Sequence, residues 1–446
     1  FAVPRTGWEF SHWRNQCEDK GPICSFDIPA ATVRENWGKT MPPLVAVFTA
    51  VEDIDYPYGL PDPLVTENGA RVTTGNGWNG TRRPETLNLF AEHIYGRTPN
   101  GAFNASYTNQ AVDNNALGGT AIRKQVRIVL STGQGSIGMD VLLYLPKQGN
   151  GPYPVFLGLN FRGNHTVSDD SGIRIPQSWV GYTDNNQASA ADRGMNEHRW
   201  PIEEILARGY GLATVYCGDI DPDYDDGFQN GVHPLFYSSG ESRPAANGWG
   251  TIGAWAWGLS RTLDYLRTQG DVDGNRVAVM GFSRLGKTAL WAAAQDTRFA
   301  LAVSNTSGTL GASLSRRIGI AGGKESIARI SSKYGYWFAR NLAQYANNPG
   351  QLPVDQHQLV ALMAPRPVYI ASAQYDAWAD PQGEYEAGYY AGKVYELFGL
   401  QGLSDTQMPP LNSPRTTVVG YHIRSGDHEV TLYDWQRYLD FADFYL

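Results

Sequence analysis

The feature that most constrains the fold is a serine between an apolar run and a helix-forming run. Val277 to Met280 is apolar and predicts a short buried strand, while Lys287 to Ala294 has helix-forming composition. Between them stands the tight, glycine-flanked turn Gly281-Phe-Ser-Arg-Leu-Gly286. This order predicts a strand–turn–helix that exposes Ser283 at the end of a sheet strand.

Such a turn is how α/β-hydrolases present a nucleophile. The following helix would direct its first N–H groups and the positive end of its dipole at a developing oxyanion. The usual motif is Gly-x-Ser-x-Gly, and here the second glycine comes one residue late, so the strand and helix context carries the prediction. The alternative is an ordinary strand-to-helix turn in which the serine only caps the helix.

Strand-like and helix-like segments alternate along most of the chain. The run from Tyr153 to Asn160 is continuously apolar, as expected for a strand covered on both faces. Alternating elements predict an α/β-hydrolase fold: a mostly parallel sheet flanked by helices, a three-layer sandwich. The predicted strands are 125–130, 139–145, 153–160, 211–216, 277–280, 300–304, 368–373 and 418–422, and the predicted helices are 84–95, 202–208, 253–267 and 287–294.

The polar stretches 165–200 and 218–250 show no periodicity. We expect them to be long loop insertions at the carboxyl edge of the sheet. One catalytic domain, 56–446, is therefore predicted. An irregular N-terminal extension, 1–55, is expected to pack on it.

Composition excludes several classes of partner. The formal net charge of −8 argues against nucleic acid or an anionic membrane, and no apolar run reaches the ~18 residues of a membrane span. Three cysteines leave at least one unpaired; Cys17 and Cys24 could close a small loop, and Cys217 is predicted to be buried. No Cys/His spacing resembles a zinc site, and we expect no metal and no cofactor.

A serine nucleophile needs a histidine base, which in α/β-hydrolases follows both the serine and the acid along the chain. Only His357, His422 and His428 follow Ser283. His428 lies in a loop after the last predicted strand and is the predicted base. His422 lies within that strand and is expected to point into the packing of the sheet, and His357 is predicted to be structural.

The predicted acid is Asp376, which directly follows the strand at 368–373. Asp380 is an alternative, but it precedes Pro381 and is expected to cap the turn there. Asp427 cannot easily reach back to the ring of its neighbour. Ser283, His428 and Asp376 therefore form the predicted triad.

Two cations follow the serine, Arg284 and Lys287. The backbone N–H of Arg284, with a donor from the loop 160–165, is predicted to bind the oxyanion. Cations are disfavoured at a helix N-terminus, so we expect a substrate with oxygen-rich or anionic groups to account for both. The acidic run 219–227 departs from a calcium loop at Pro222 and Asn230, and predicts a carboxylate-rich turn that could line the cleft.

With these residues in view, the chain resembles carbohydrate esterase family 15, the glucuronoyl esterases, and more closely the bacterial branch of that family. The likeness runs from about Leu60 to the C-terminus, and the late glycine is the family's own form of the turn. It is carried by Leu60-Pro-Asp-Pro-Leu-Val65, Arg83-Pro-Glu85, Tyr95-Gly-Arg-Thr-Pro99, Gly158-Leu-Asn-Phe-Arg-Gly-Asn-His-Thr166, Trp200-Pro-Ile-Glu-Glu204, Gly218-Asp-Ile-Asp-Pro222, Gly281-Phe-Ser-Arg-Leu-Gly-Lys287, Leu314-Ser-Arg-Arg317, Trp378-Ala-Asp-Pro381 and His428.

The resemblance implies cleavage of the ester between 4-O-methyl-glucuronate side chains of xylan and lignin alcohols. It implies Ser283 as the nucleophile and His428 as the base, with Arg284 stabilising the oxyanion through its N–H and guanidinium. Lys287 would bind sugar hydroxyls. The uronate site would also be lined by Glu325 and Trp378.

The chain departs from the family at two places. Many members carry their acid 23 residues after the nucleophile, where this chain has Thr306, so it should depend on Asp376 entirely. The segment 318–324 is longer than expected, which leaves the placement of Glu325 and the substrate preference open. The extension at 1–50 has no counterpart in the family.

Two other functions stay open: a related esterase with another substrate, such as acetylated xylan, and a carbohydrate-binding protein with weak or lost catalysis. The chain starts at Phe1 without an initiator Met, so a mature or trimmed chain is expected. With a plant cell-wall substrate, we expect a secreted or periplasmic protein that acts as a monomer.

Overall fold

The structure is a computed structural model that describes residues 8–14, 45–50, 56–320 and 323–446. The chain divides into two compact units, Phe1–Pro57 and Tyr58–Leu446. In the first unit, strands β1 (Trp8–Arg14) and β2 (Val45–Ala50) pair in antiparallel fashion. Cys17 and Cys24 lie outside the described residues, and the packing of the extension on the second unit stays a prediction.

The second unit is built on a nine-stranded sheet with the spatial order β3-β4-β5-β7-β6-β8-β9-β10-β11. The six strands from β7 to β11 in this order run parallel, and β3, β4 and β5 add an antiparallel edge. The strands are β3 (Asn104–Asn115), β4 (Ala121–Thr132), β5 (Gly135–Pro146), β6 (Tyr153–Asn160), β7 (Gly211–Tyr216), β8 (Val272–Phe282), β9 (Leu301–Asn305), β10 (Val368–Ala373) and β11 (Val419–Arg424).

Eight α-helices of six residues or more surround this sheet in the described residues. The first continues a helical stretch that begins at Gly75 and ends at Tyr95. They are α1 (Arg83–Phe90), α2 (Ile202–Ala207), α3 (Thr251–Leu266), α4 (Arg284–Gln295), α5 (Ile327–Lys333), α6 (Gln356–Ala361), α7 (Pro381–Glu396) and α8 (Leu432–Tyr445). Shorter helical segments occur at Gly75–Gly77, Ala116–Gly119 and Cys217–Ile220.

Two apolar clusters cover the two faces of the sheet. Val155 and Leu157 of β6 belong to the cluster that includes residues of α3, α4 and α7, whereas Phe156 between them belongs to the cluster of α2 and α8. Successive residues of a strand point to opposite faces, so helices cover both faces of β6. The predicted three-layer α/β architecture is confirmed.

The loops that follow β6 and β7 leave the same edge of the sheet as Ser283, which follows β8, because these three strands are parallel. They contain most of the polar stretches 165–200 and 218–250. Among the described helices, none has the length and apolar character needed to cross a membrane.

Two of the three candidate histidines lie in the core. His422 is fully buried in β11 and contacts the Tyr369 hydroxyl through Nδ1 (3.0 Å) and Asp434 through Nε2 (2.8 Å). His357 is fully buried in α6, and its Nε2 donates to the carbonyl oxygen of Pro61 (2.9 Å). Both side chains therefore have structural partners, as the sequence predicts.

Burial makes the stability of this fold sensitive to acid. Desolvation lowers the pKa of His357 from 6.5 to about 4, so between these values the unfolded state binds a proton that the folded state does not. The free energy of unfolding should therefore fall as the pH drops from 6.5 to 4, with a contribution from this group on the order of 3 kcal/mol.

Urea unfolding at pH 7, 5.5 and 4 measures this dependence. His357→Gln keeps an N–H donor for Pro61 but does not titrate, so its dependence on pH should be flatter than that of the wild type. His198→Gln, at an exposed position, controls for the loss of a histidine. Equal slopes for the wild type and His357→Gln would contradict the prediction.

Candidate active site

Ser283 lies in a strained turn between β8 and α4. Its backbone has φ 57° and ψ −130°, a conformation that residues with a side chain rarely adopt. The Ser283 N–H donates to the carbonyl oxygen of Asn305 on β9 (2.9 Å), and its carbonyl oxygen accepts from the N–H of Gly286 (2.8 Å). The turn is thus fixed to the neighbouring strand on one side and to its own helix on the other.

The two glycines of the turn allow α4 to cross close to the end of β8. A Cβ at Gly281 would stand 1.9 Å from the carbonyl oxygen of Leu285, which is backbone and cannot move aside. A Cβ at Gly286 would lie 3.0 Å from the Cβ of Ser307 and 3.1 Å from the carbonyl oxygen of Gly281. Gly286, the late glycine of the motif, therefore lies where the first turn of α4 contacts both β8 and the loop after β9.

The structure brings the three predicted triad residues together. The Nε2 atom of His428 lies 2.9 Å from the Ser283 Oγ, and its Nδ1 atom lies 2.5 Å from Oδ2 of Asp376. Asp376 is buried, and its Oδ1 accepts the N–H of Ala379 (3.1 Å). With Nδ1–H donated to the carboxylate, Nε2 is left to accept the serine hydroxyl.

The alternative acids have other partners. Asp380 caps α7 by accepting the N–H of Gly383 (3.2 Å) and also binds the ammonium group of Lys324 (2.8 Å), so it has the capping role that the sequence predicts. Asp427 is exposed. Thr306 lies at the site, where its hydroxyl donates to the side chain of Asn305 (3.0 Å).

Arg284 is held by a carboxylate and two aromatic rings. Its Nε donates to Oδ2 of Asp223 (2.7 Å), and its guanidinium carbon lies 4.6 Å from the ring centre of Phe161 and 5.5 Å from that of Trp337. The backbone N–H of Arg284 is at the first position of α4, where the helix supplies no acceptor. This residue can therefore offer both a backbone donor and a cation next to Ser283.

Lys287 and Glu325 form a buried ion pair. The Lys287 ammonium group donates to Oε2 of Glu325 (2.6 Å) and to the carbonyl oxygens of Ser307 (2.6 Å) and Thr309 (2.5 Å). All three of its protons thus have acceptors in this structure. Its predicted role as a donor to sugar hydroxyls stays a prediction, and its role here is to fix the carboxylate of Glu325.

The position of Glu325 is also tied to Trp378, because its N–H donates to the Trp378 carbonyl oxygen (3.0 Å). The indole ring of Trp378 is half-buried, and the guanidinium of the exposed Arg329 lies 4.5 Å from a ring centre of that indole. Tyr334 and Trp337 stack with ring centres 4.1 Å apart. Aromatic side chains from two segments of the chain therefore border the site.

These groups surround a cavity of about 170 Å³. It is lined by Ser283, Arg284, Lys287, Thr306, Ser307, Gly308, Glu325, Tyr334, Trp337, Trp378, Ala379 and His428. Six of the seven residues that sequence analysis assigned to the site line it. The seventh, Asp376, stands behind His428.

A buried carboxyl group that sequence analysis missed supports one wall. Glu384, on α7, accepts the N–H of Gly308 (3.0 Å) and the hydroxyl of Ser372 (2.6 Å). Burial raises the pKa of Glu384 to about 8. No sequence motif marked this residue, because its partners come from β10 and from the loop after β9.

The acidic run 219–227 supplies structural carboxylates. Asp221 pairs with His233 (2.9 Å), and Asp219 accepts the hydroxyl of Ser178 (2.6 Å). Asp223 reaches the cleft through Arg284, so the prediction of a carboxylate-rich turn near the cleft fits, although sequence analysis gave Asp223, Phe161 and Trp337 no individual role. In the described parts of the chain, no group of three or more His, Cys, Asp or Glu residues is arranged to hold a metal ion.

The chain is similar to known glucuronoyl and carbohydrate esterases. A family model described as "Glucuronyl esterase, fungi" matches residues 235–399. The chain is similar to a carbohydrate esterase named MZ0003 from an unknown prokaryotic organism, with 46% identity over 396 residues, 87% of this chain and 90% of that protein. It is also 36% identical over 352 residues to 4-O-methyl-glucuronoyl methylesterase 1 of Wolfiporia cocos, covering 76% of this chain and 72% of the relative.

The chain is also similar to solved structures of esterases of this kind. The structure of a promiscuous CE15 esterase from a marine bacterial metagenome matches with a TM-score of 0.80 and 46% identity, covering 87% of this chain and 97% of that one. A glucuronoyl esterase from Solibacter usitatus matches with a TM-score of 0.80 and 42% identity, covering 86% of this chain and 97% of that one. The α/β-hydrolase fold predicted from the sequence is shared with these enzymes.

The crossing at Gly281 yields a test of the turn. Gly281→Ala should abolish reaction of Ser283 with a fluorophosphonate probe, because the added methyl group would push α4 and the serine out of place. Gly270→Ala is the matched control, since a Cβ there meets nothing within 4 Å. Labelling of Gly281→Ala at the wild-type rate would show that the crossing does not set the position of the serine.

Proposed function

Because the chain belongs to carbohydrate esterase family 15 and is a carboxylic ester hydrolase, we propose that it hydrolyses esters of (4-O-methyl-)glucuronic acid. The natural bonds would be those between glucuronoxylan and lignin. The observation that carries the proposal is the Ser283–His428–Asp376 hydrogen-bonded chain at a polar cavity that also holds the Lys287–Glu325 pair. Relatives named 4-O-methyl-glucuronoyl methylesterases support the substrate class.

The proposed reaction has two steps. His428 takes the proton of the Ser283 hydroxyl, whose oxygen attacks the ester carbonyl, and the resulting oxyanion is stabilised by donors at Arg284. His428 then protonates the departing alcohol, and an acyl-enzyme forms. Water, deprotonated by His428, attacks that acyl-enzyme; the bond to the Ser283 oxygen breaks, His428 returns the proton to that oxygen, and the uronic acid is released. Asp376 stabilises the imidazolium in each step.

The chemistry of the cavity suits the sugar of such an ester. A uronate ester carries no charge but several hydroxyl groups, which need hydrogen-bond donors and acceptors rather than a counter-ion. Glu325, buried and fixed by Lys287, supports this as an acceptor for hydroxyl groups. Trp378 borders the same cavity and offers an apolar ring to the face of the sugar.

We further propose that the protein is secreted or periplasmic and works as a monomer on carbohydrate. These statements rest on the substrate class alone. The likeness to an esterase described as promiscuous favours testing esters of more than one alcohol.

The triad makes a prediction about single substitutions. Ser283→Ala should remove nearly all turnover, and Asp376→Asn should lower kcat by roughly 10³–10⁴-fold, as expected when the partner of the base is neutralised. Asp427→Asn is the matched control, because Asp427 stands beside His428 but is exposed. Near-wild-type turnover by Asp376→Asn would show that another group is the acid.

Substrate class is tested by comparing benzyl glucuronate with an acetyl ester, for the wild type and Ser283→Ala. We expect kcat/KM to favour the uronate ester at least tenfold, since only that substrate has the sugar hydroxyls that the cavity can bind. Glu325→Gln should lower kcat/KM for the uronate ester and leave the acetyl ester almost unchanged. Equal loss on both esters would argue against a role of Glu325 in sugar binding.

A further inference from the structure

We propose that Asp223 is a positioning residue for the acyl-transfer reaction: its carboxylate holds the Arg284 guanidinium in the orientation that stabilises the oxyanion. The inference rests on the proposed function in one respect, that Arg284 acts at the ester carbonyl. It adds a residue from a distant loop to the groups that act at the Ser283 turn. Asp223 precedes Arg284 by 61 positions in the sequence.

Both carboxylate oxygens of Asp223 are used. Oδ2 accepts Arg284 Nε (2.7 Å), while Oδ1 accepts the indole N–H of Trp337 (2.8 Å) and the hydroxyl of Tyr336 (3.0 Å). Burial and the nearby carboxylate raise the pKa of Tyr336, which keeps its hydroxyl protonated as a donor. Two adjacent residues of the turn 335–337 therefore fix the carboxylate that binds the arginine.

Aromatic rings also restrain the orientation of the guanidinium plane, in addition to the hydrogen bond at Nε. The ring centres of Phe161 and Trp337 lie 4.6 Å and 5.5 Å from its central carbon. Stacking on aromatic rings holds the plane of a guanidinium in place, and its N–H groups point within that plane. With Nε bound to Asp223, the two terminal amino groups are the donors left for a substrate oxygen.

Holding the Arg284 side chain at its position is unfavourable in free energy for two reasons. A cation at the first residue of α4 is repelled by the positive end of the helix dipole, and a long side chain loses rotamer entropy when it is fixed. The Asp223 carboxylate offsets both effects before substrate arrives. Donors oriented in advance stabilise a transition state without reorganisation during the reaction.

A purely structural role predicts something different. In that case Asp223 would only join the loop after β7 to the 336–337 turn, and its loss would act on folding or on substrate binding in general. Its effect would then be independent of Arg284. A double-mutant cycle separates the two roles, because coupling appears only if Asp223 acts through the arginine.

The test measures kcat and KM for Asp223→Asn, Arg284→Ala and the double variant. Asp223→Asn should lower kcat roughly 10–100-fold with little change in KM, somewhat less than the loss of a complete oxyanion donor. In the Arg284→Ala background the same substitution should change kcat less than about twofold, as expected for two residues that act as one unit. Asp225→Asn, an exposed carboxylate of the same loop, is the control and should match the wild type.

Additive losses in the two backgrounds, or an unchanged kcat in Asp223→Asn, would overturn the proposal. If Asp223→Asn does not fold, Trp337→Phe replaces it: this variant removes one donor to Asp223 but keeps an aromatic ring over Arg284. It should lower kcat several-fold, and only where Arg284 is present. An equal loss in the Arg284→Ala background would overturn the inference.

A second readout separates this inference from the proposed function. The rate at which a fluorophosphonate labels Ser283 depends on stabilising a tetrahedral adduct and needs no uronate ester. A slower rate in Asp223→Asn, with a wild type that does not cleave benzyl glucuronate, would support the positioning role and reject the proposed substrate. Cleavage of benzyl glucuronate by the wild type, with equal labelling rates in the wild type and Asp223→Asn, would support the proposed substrate and reject the positioning role.

Discussion

The site depends on the close crossing of α4 over the end of β8. Gly281 and Gly286 have no side chains that would hold the helix away from the strand. Ser283 adopts a strained backbone conformation with a positive φ. Because the crossing is tight, the serine stands clear of the sheet edge and the first residue of α4 offers its N–H beside it. The loops that carry Asp376 and His428 must then converge on a point that the backbone of the turn has already fixed.

The two cations of the turn lie where positive charge is unfavourable, and each is stabilised by an ion pair with a carboxylate. Arg284 and Lys287 both lie in the first turn of α4, where the helix dipole disfavours positive charge. Each is paired with a carboxylate from a distant segment, Asp223 for the half-buried cation and Glu325 for the buried one. Sequence analysis assigned these cations to a charged or oxygen-rich substrate, whereas in the structure both bind carboxylates of the protein.

Elements with an apolar signal were predicted well, and those without one were missed. The strands β6, β7 and β10 have the predicted bounds, since each is buried along most of its length and consists mainly of apolar residues. In contrast, β3 was not predicted, because its residues are mostly polar and exposed. The helices α7 and α8 were missed too, although the N-cap residues Asp380 and Thr431 directly precede them.

The sequence by itself determined the turn, the class of fold and the identity of the candidate triad. Those features depend on neighbouring residues: glycines around a serine, apolar runs that become strands, and an acid and a histidine that each follow a strand. Only the tertiary structure decided which distant groups meet. Asp376 contacts His428 across 52 positions and Asp223 contacts Arg284 across 61, because parallel strands bring loops that are far apart in the sequence to one edge of the sheet.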